Sequence, residues 1–314
     1  MIFDKGSMHS NLDCFLRYTT PVVQSQFLPK SEMSTLNRLW NPWERDRVEY
    51  FTLGDLWNSY DEWSAYGAGV PISLACGETL VQYYVPYLSA IQIFTSNSFR
   101  EEAGSGDSET RDSCSDSYSN ESECDKLWRW DGTSSEEGGV EHDYLWPLNN
   151  RLGQLYCQYF EKSTPYGRVP LKDKITGLAQ RYPALMSLRS VDLSPASWMA
   201  VSWYPIYHIP MGRTLKDLST CFLTYHTLSS SFQDMDIEDD IVGGHVKKKE
   251  GESISLSAFG LATYKMQGGN VWISGNSGRD QEKLVSLLSV ADSWLKQLSV
   301  QHHDFNHFTG IRHG

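Results

Sequence analysis

One run of the sequence, Ser197–Pro210, constrains the fold more than any other stretch. It is rich in aromatic and β-branched residues, and both of its alternating side-chain sets are largely apolar. That pattern is typical of a strand lying deep in a sheet, because both faces of such a strand are covered. Pro205 cannot donate a ladder hydrogen bond, so we expect a bulge or an edge position there. The run therefore predicts a central strand of a β-sheet.

Other segments predict the helices and strands that accompany this run. Apolar residues recur at helical spacing in four segments: Asn11–Thr19, a stretch that begins after Thr52 as N-cap, Leu171–Arg181 and Asp280–Leu298. Runs rich in strand-forming residues predict further strands at Val48–Phe51, Gly153–Glu161 and Ser219–Leu228, and a hairpin of Gly260–Met266 with Asn270–Ser274.

One β-rich region leaves two structures open. Thr79–Val85 and Tyr87–Thr95 flank Pro86, so they could form a tight hairpin or one long strand with a bulge at the proline. With the other elements, either choice predicts an α+β fold: a mostly antiparallel mixed sheet flanked by several helices. We expect a single domain over residues 8–300, interrupted by a long disordered acidic insertion.

The acidity of the chain is concentrated in that insertion. Residues 101–143 hold fourteen Asp or Glu against three Lys or Arg, a local net charge of −11 out of −12 for the chain. Such a segment cannot bury enough apolar surface to offset its ordering entropy, so it should be disordered. The remainder is nearly neutral and has no dense basic stripe, which argues against a nucleic-acid partner.

The insertion also carries the features that suggest regulation. Acidophilic kinases accept a Ser or Thr with an acid three residues further on, and four candidate phosphosites fit this pattern: Ser113, Ser122, Thr133 and Ser134. Trp128 and Trp130 form an apolar patch between the acids. They could bind a protein partner as a short linear motif, or fold back onto the domain.

Two further segments are predicted to be mobile. Residues 233–252 form a charged flexible loop that ends in three lysines. Residues 301–314 form a mobile tail. His303 and His307 share the spacing of one helix face, but no acid-rich shell accompanies them, so we predict a solvated tail and no metal site.

Targeting, membrane and cofactor signals are not found in the sequence. The N-terminus has no apolar signal region, and no run approaches the length of a membrane span. None of the six cysteines forms a Cys-x-x-Cys pair. Gly67-Ala68-Gly69 lacks the rest of a phosphate-binding motif and predicts a plain turn. We expect an intracellular protein, cytoplasmic or nuclear, with no cofactor.

A candidate binding face follows if Ser197–Pro210 pairs with Ser219–Leu228 about a turn near Thr214. Antiparallel pairing would then place His226 opposite Ser202. It would put five polar or aromatic side chains on one sheet face: Ser202, Tyr204, His208, Thr224 and His226. The two histidines would lie ~20 Å apart, too far for a shared metal or a direct proton relay. The same groups could instead be core-edge side chains hydrogen-bonded to backbone.

Several long motifs resemble a plant family known only as a domain of unknown function, seven-eight-nine in the usual series. These motifs occur in order along the ordered chain from Asn11 to Leu298, and they are the following: Asn11–Leu16, Phe51–Trp57, Gly67–Pro71, Val81–Leu88 and Ser197–Tyr207. The resemblance implies a plant protein. It brings no established activity and no catalytic residues.

Two hypotheses from different classes follow. The first is a non-catalytic module that binds a protein or small ligand, because catalytic signatures are missing while Trp and Tyr, which favour interfaces, are abundant. The second is an enzyme of unrecognised type, which would use His208 or His226 with Tyr204 or Asp192 in a semi-polar pocket.

Overall fold

The computed structural model describes residues 10–41, 46–74, 76–96, 152–206, 219–232, 253–266, 271–273 and 278–310. The predicted insertion, the 233–252 loop and residues 207–218 lie outside this part. The described helices are α1 Asn11–Tyr18, α2 Thr35–Trp40, α3 Leu53–Ser59, α4 Asp61–Tyr66, α5 Leu171–Arg181, α6 Arg279–Gln297 and α7 His303–Thr309. The described strands are β1 Val22–Gln24, β2 Gln26–Pro29, β3 Arg47–Tyr50, β4 Ala68–Ser73, β5 Thr79–Thr95, β6 Gln154–Phe160, β7 Trp198–Pro205, β8 Cys221–Thr227, β9 Ser253–Ser255 and β10 Gly260–Tyr264.

The helix starts follow local capping chemistry. The Ser10 side chain accepts the Asp13 amide at the start of α1, and Thr52 accepts the Asp55 amide at the start of α3. The Thr52 cap and the bounds of α5 confirm the prediction. The predicted helix after Thr52 is divided at Tyr60, where α3 ends and α4 begins. None of the helices in the described ranges is both long and apolar enough to cross a membrane.

A six-stranded antiparallel sheet forms the centre of the fold. Its order is β10-β8-β7-β5-β4, and β6 pairs with β5 as well. β5 is one continuous strand of 17 residues, so of the two structures left open around Pro86 the long strand is the correct one. Its bulge lies between Leu88 and Ala90, however, and not at Pro86 as predicted. β7 lies between β5 and β8, which confirms it as a central strand. The α+β prediction is confirmed.

Two predicted pairings are wrong. In the β7–β8 ladder His226 lies opposite Met199, and Ser202 lies opposite Leu223, a shift of three residues from the predicted register. β7 ends at Pro205 and β8 starts at Cys221, so no tight turn fixes the register from sequence. β10 pairs with β8 instead of forming a hairpin, and the described part of its predicted partner, residues 271–273, is a turn.

The two faces of the sheet differ in character, and the observed register puts Thr224 on the same face as Val201 and opposite to Ser202. We call the side that carries Val201, Trp203 and Thr224 the aromatic face. There Phe15 of α1 stacks on Phe222 with ring centroids 3.8 Å apart, and its ring meets Trp203 edge-on. The opposite side, which carries Ser202 and Tyr225, we call the network face.

The C-terminal helices cover the network face. Ala291 and Leu295 of α6 and Phe305 and Phe308 of α7 pack in one cluster with Leu223 and other sheet residues. The prediction of a mobile, solvated tail is therefore wrong for residues 302–309. Phe305 and Phe308 supply an i, i+3 apolar pair that docks this segment on the sheet.

The turn between α6 and α7 is a Schellman motif. The Val300 amide bonds to the Leu295 carbonyl at 2.8 Å, and the Ser299 amide bonds to the Lys296 carbonyl at 3.0 Å. Ser299 occupies the left-handed position with φ 53°, where glycine is the usual residue. Residues 299–301 thus connect Leu298, the C-cap of α6, to His302.

Candidate functional site

Six buried polar side chains form the candidate functional site, which we call the buried polar network. Ser89 comes from β5, where the register shifts between Leu88 and Ala90. Arg168 precedes α5, while Ser202 and Tyr225 project from β7 and β8. His302 and Asp304 stand at the start of α7. Each of the six residues is at most 9% exposed.

Arg168 and Asp304 form the centre of the network. Arg168 Nη1 and Nη2 each donate to one oxygen of Asp304 at 2.7 Å, which gives a bidentate ion pair. Nη1 also donates to Ser202 Oγ at 3.1 Å, and Nε donates to the Ser163 carbonyl at 3.0 Å. Burial alone would raise the pKa of Asp304, but Arg168 and the Ser89 hydroxyl outweigh burial and lower it. Asp304 is therefore an ionised carboxylate at neutral pH.

The charged carboxylate fixes the proton positions along the rest of the network. A carboxylate can only accept, so Ser89 must donate its hydroxyl proton to Asp304 Oδ2 at 2.5 Å. The contact of 2.9 Å between Ser89 Oγ and His302 Nε2 then requires that Nε2 carry the proton. His302 Nδ1 consequently accepts from the Tyr225 hydroxyl at 2.7 Å. His302 is neutral, in its Nε2–H form.

This arrangement does not activate Ser89 as a nucleophile. In a catalytic triad the histidine takes the serine proton and the carboxylate holds the histidine. Here the serine hydroxyl donates its hydrogen bond to the carboxylate, and His302 donates to Ser89 instead of accepting from it. Burial lowers the pKa of His302 to about 4, so it is also a weak base at neutral pH. The network is suited to holding α7 on the sheet.

A second buried histidine lies on the aromatic face. His226 Nδ1 is 2.9 Å from the Leu256 carbonyl, which can only accept, so Nδ1 carries the proton. Its Nε2 accepts from the Thr224 hydroxyl at 2.9 Å, and Thr224 in turn accepts the indole N–H of Trp203 at 3.0 Å. Burial lowers the pKa of His226 to about 4. This histidine fixes the segment that follows β9.

The structure does not bring the predicted binding face together. Ser202 and Tyr204 project from the network face, whereas Thr224 and His226 project from the aromatic face. Tyr204 is half-buried, and the Arg168 guanidinium lies 5.7 Å from the centroid of its ring. His208 lies outside the described residues. The candidate phosphosites do as well.

Other candidate reactive groups are engaged or deactivated. Asp192 accepts from Arg189 at 2.6 Å and from the Asn37 amide at 2.9 Å, so it joins structural elements. Burial raises the pKa of the Cys157 and Cys221 thiols to about 12, which leaves little thiolate at neutral pH. Within the described ranges, no group of three His, Cys, Asp or Glu side chains could hold a metal ion.

A depression of about 480 Å³ lies away from the network, on the exposed side of α6. Its lining contains none of the network residues and consists of Gln281, Glu282, Val285, Ser286, Ser289 and Val290.

Sequence reasoning missed five members of the network: Ser89, Arg168, Tyr225, His302 and Asp304. A signal for the last two was present, since Phe305 and Phe308 repeat at helical spacing directly after Asp304. Ser89 and Arg168 carry no such signal. Their roles depend on contacts with residues 136 and 215 positions away in the chain.

The geometry defines a class: an α+β protein built on one antiparallel sheet whose C-terminal helix is fastened by a buried ion pair. Residues 10–308 match the family model described as "Protein of unknown function (DUF789)". The match spans nearly the whole chain, so the chain belongs to this family. Comparison with curated proteins finds no match, and comparison with solved structures finds none either.

Proposed function

We propose that the chain is a non-catalytic module that binds a protein partner, acts inside plant cells in the cytoplasm or nucleus, and is regulated by phosphorylation of its acidic insertion. One observation carries the non-catalytic part of this proposal. Four candidate reactive groups, Ser89, Cys157, His226 and His302, are buried. The Ser89 hydroxyl donates to Asp304, burial raises the pKa of the Cys157 thiol, and burial lowers the pKa of both histidines, and each of these effects disfavours catalysis at neutral pH.

The position of the insertion in the chain supports a binding role. Thr95 at the end of β5 pairs with Gln154 at the start of β6, so the two strands meet on either side of residues 97–151. Gly153, at φ 75°, completes the approach, since a Cβ there would lie 2.5 Å from the Thr95 carbonyl oxygen. A short turn could join the strands equally well. The sheet therefore does not require the insertion, which is free to serve another purpose.

Two exposed tyrosines are candidate contacts for the partner. Tyr66 at the end of α4 is 75% exposed, and Tyr166 ahead of α5 is fully exposed. The two helices to which they are adjacent in sequence meet where the Lys172 amide of α5 donates to Ser64 Oγ of α4. Tyrosine is enriched at protein interfaces because its ring is large and rigid and its hydroxyl can still bond.

Affinity purification of three tagged chains from plant cells tests the proposal. The chains are the full sequence, a variant in which a short turn replaces residues 97–151, and a Tyr66→Ser/Tyr166→Ser variant. We expect a reproducible partner with the full sequence that is depleted with at least one variant, while unfolding midpoints stay unchanged. As a control, a Val285→Ser variant changes an exposed residue of α6 and should still recover the partner. Recovery of the same background with all four chains would contradict the proposal.

A further arm addresses phosphorylation. Chains with Ser113, Ser122, Thr133 and Ser134 changed to alanine should bind the partner with an affinity that no longer responds to phosphatase treatment. If phosphatase changes binding equally in this variant, the four sites are not the regulated ones.

A further inference from the structure

The recognition site for α7 is complete without α7. Ser89, Arg168 and Tyr225 all precede residue 230 in the chain, and each has its position fixed by β5, β8 or the loop before α5. The C-terminal segment adds only the groups that fill this site: His302, Asp304 and the two phenylalanines. Residues 302–309 therefore dock on a surface of the network face that is formed entirely by earlier parts of the chain.

One short hinge is the only covalent link between α7 and the rest of the described chain. Residues 299–301 span the gap, and Ser299 is held in the left-handed region at φ 53°. An L-residue is strained there, because its Cβ approaches the carbonyl oxygen. Continuation of α6 through the hinge would relieve that strain, but it would also carry α7 away from its own sheet.

We propose that α7 exchanges between two copies of this chain, so that residues 302–309 of one copy fill the network face of the other. The exchanged dimer has the same Arg168–Asp304 and His302 contacts as the monomer, so these contacts neither favour nor oppose it. What opposes exchange is the entropy of association, which concentration offsets. What favours it is relief of the two strained hinges, since short strained hinges promote exchange of terminal elements.

A second copy is the occupant that fits this face. The face must supply a carboxylate to Arg168 and Ser89, a neutral imidazole to Tyr225, and two aromatic rings to the apolar cluster. Each copy carries these groups in the required order and spacing at residues 302–308. The proposal is independent of the protein partner proposed above, because it concerns residues 299–309 and uses neither the insertion nor Tyr66 and Tyr166.

Two substitutions of the hinge residue move the exchange in opposite directions. Ser299→Gly removes the strain of the turn and weakens a helical hinge. Each effect favours the monomer. We expect a factor of about 5 at each of the two hinges, so the dimer should dissociate about 25-fold more readily. Ser299→Ala keeps the strain and strengthens a helical hinge, so the dimer should tighten several-fold. Both variants keep every contact of α7.

Light scattering after size exclusion, from low- to high-micromolar concentrations, measures these effects on the full chain. The expected order of dimer fraction is Ser299→Ala, then the natural chain, then Ser299→Gly. A chain that stays monomeric in all three forms would overturn the proposal. So would a dimer of equal affinity in all three, since it would then use another surface.

Complementation identifies the exchanged element. Differently tagged Arg168→Met and Asp304→Asn chains are mixed, and native mass spectrometry counts heterodimers. The first chain has an intact Asp304 and the second an intact Arg168, so one natural ion pair can form only across the two copies. We expect heterodimers to exceed the two homodimers. A statistical mixture of the three species would count against exchange at this face.

Discussion

The two faces of the sheet each bury a neutral histidine, but they hold their neighbours by different means. On the aromatic face, rings from α1, β5, β7 and β8 pack against one another, and His226 adds one directional link to the segment after β9. On the network face, every polar atom around Asp304 has an assigned partner, and α7 depends on that set. An apolar substitution of similar volume costs little stability among packed rings. Removal of one partner of a buried ion pair costs much more, because it leaves a lone buried charge.

The largest expected effect breaks the network at its centre. Asp304→Ala leaves the Arg168 guanidinium buried without its carboxylate and should lower the free energy of unfolding by about 3–5 kcal/mol. The double variant Arg168→Met/Asp304→Leu replaces both charges by apolar groups and should recover most of that loss. Urea unfolding measures all three chains. A double variant that loses as much stability as Asp304→Ala, or more, would show that the cost does not come from a lone buried charge.

Acid should lower the free energy of unfolding through both faces of the sheet. The pKa values of the two buried histidines set the pH range of this effect. Each has a folded pKa of about 4 against 6.5 when exposed, so the unfolded chain binds more protons between these values. Stability should fall as pH drops from 6.5 to 4 by up to about 3 kcal/mol for each histidine. Glu161, with a pKa of about 2, extends the loss below pH 4.5.

Denaturant unfolding across this pH range checks the expectation. His302→Gln removes the contribution of the network face and should leave a shallower slope, from His226 alone. An unchanged slope in this variant would mean that His302 does not titrate as described.

Close approach of α6 to the network face gives a smaller effect. A Cβ at Gly260 of β10 would lie 2.8 Å from the Cβ of Ala291, so Gly260→Ala should cost about 1–3 kcal/mol by forcing α6 away. Gly177 in α5 meets no atom within 4 Å of such a Cβ, and Gly177→Ala should instead stabilise the chain by up to about 1 kcal/mol. The same sign of change for both substitutions in urea unfolding would contradict this packing.

The smallest effect is expected on the aromatic face. Phe222→Leu keeps an apolar group of similar size between Phe15 and Trp272 and should cost less than about 1.5 kcal/mol. On the network face, Asp304→Asn changes the side-chain shape less than Phe222→Leu does. It should nevertheless lower the free energy of unfolding by more, because it removes the charge that pairs with Arg168. A larger loss from Phe222→Leu than from Asp304→Asn would reverse the comparison of the two faces.

Local patterns in the sequence predicted most of the elements but not the way they meet. The apolar stripe of α6, the cap at Thr52 and the apolar run of β7 are local signals, and each was found where expected. The register of β7 with β8 depends on a long connection, so no local signal specifies it. An error of three residues there moved Thr224 and His226 to the opposite face.

The candidate site was harder to predict for the same reason. Its residues come from β5, β7, β8, the loop before α5 and α7, and histidines near a chain terminus resemble a solvated tail. The burial of His302 and Asp304 arises only when Arg168 and Tyr225 are brought together by the sheet. The site therefore forms only in the tertiary structure, and no local sequence pattern specifies it.

The central claim is that both buried histidines are structural and neutral, in opposite tautomers. Long-range ¹H–¹⁵N NMR of the histidine side chains between pH 5.5 and 7.5 tests it directly, with His302→Gln for assignment. The structure predicts one buried ring with its proton on Nδ1, His226, and one with its proton on Nε2, His302, both unchanged over this range. A His302 ring that is protonated at these pH values, or that carries its proton on Nδ1 so that Nε2 accepts from Ser89, would contradict the claim.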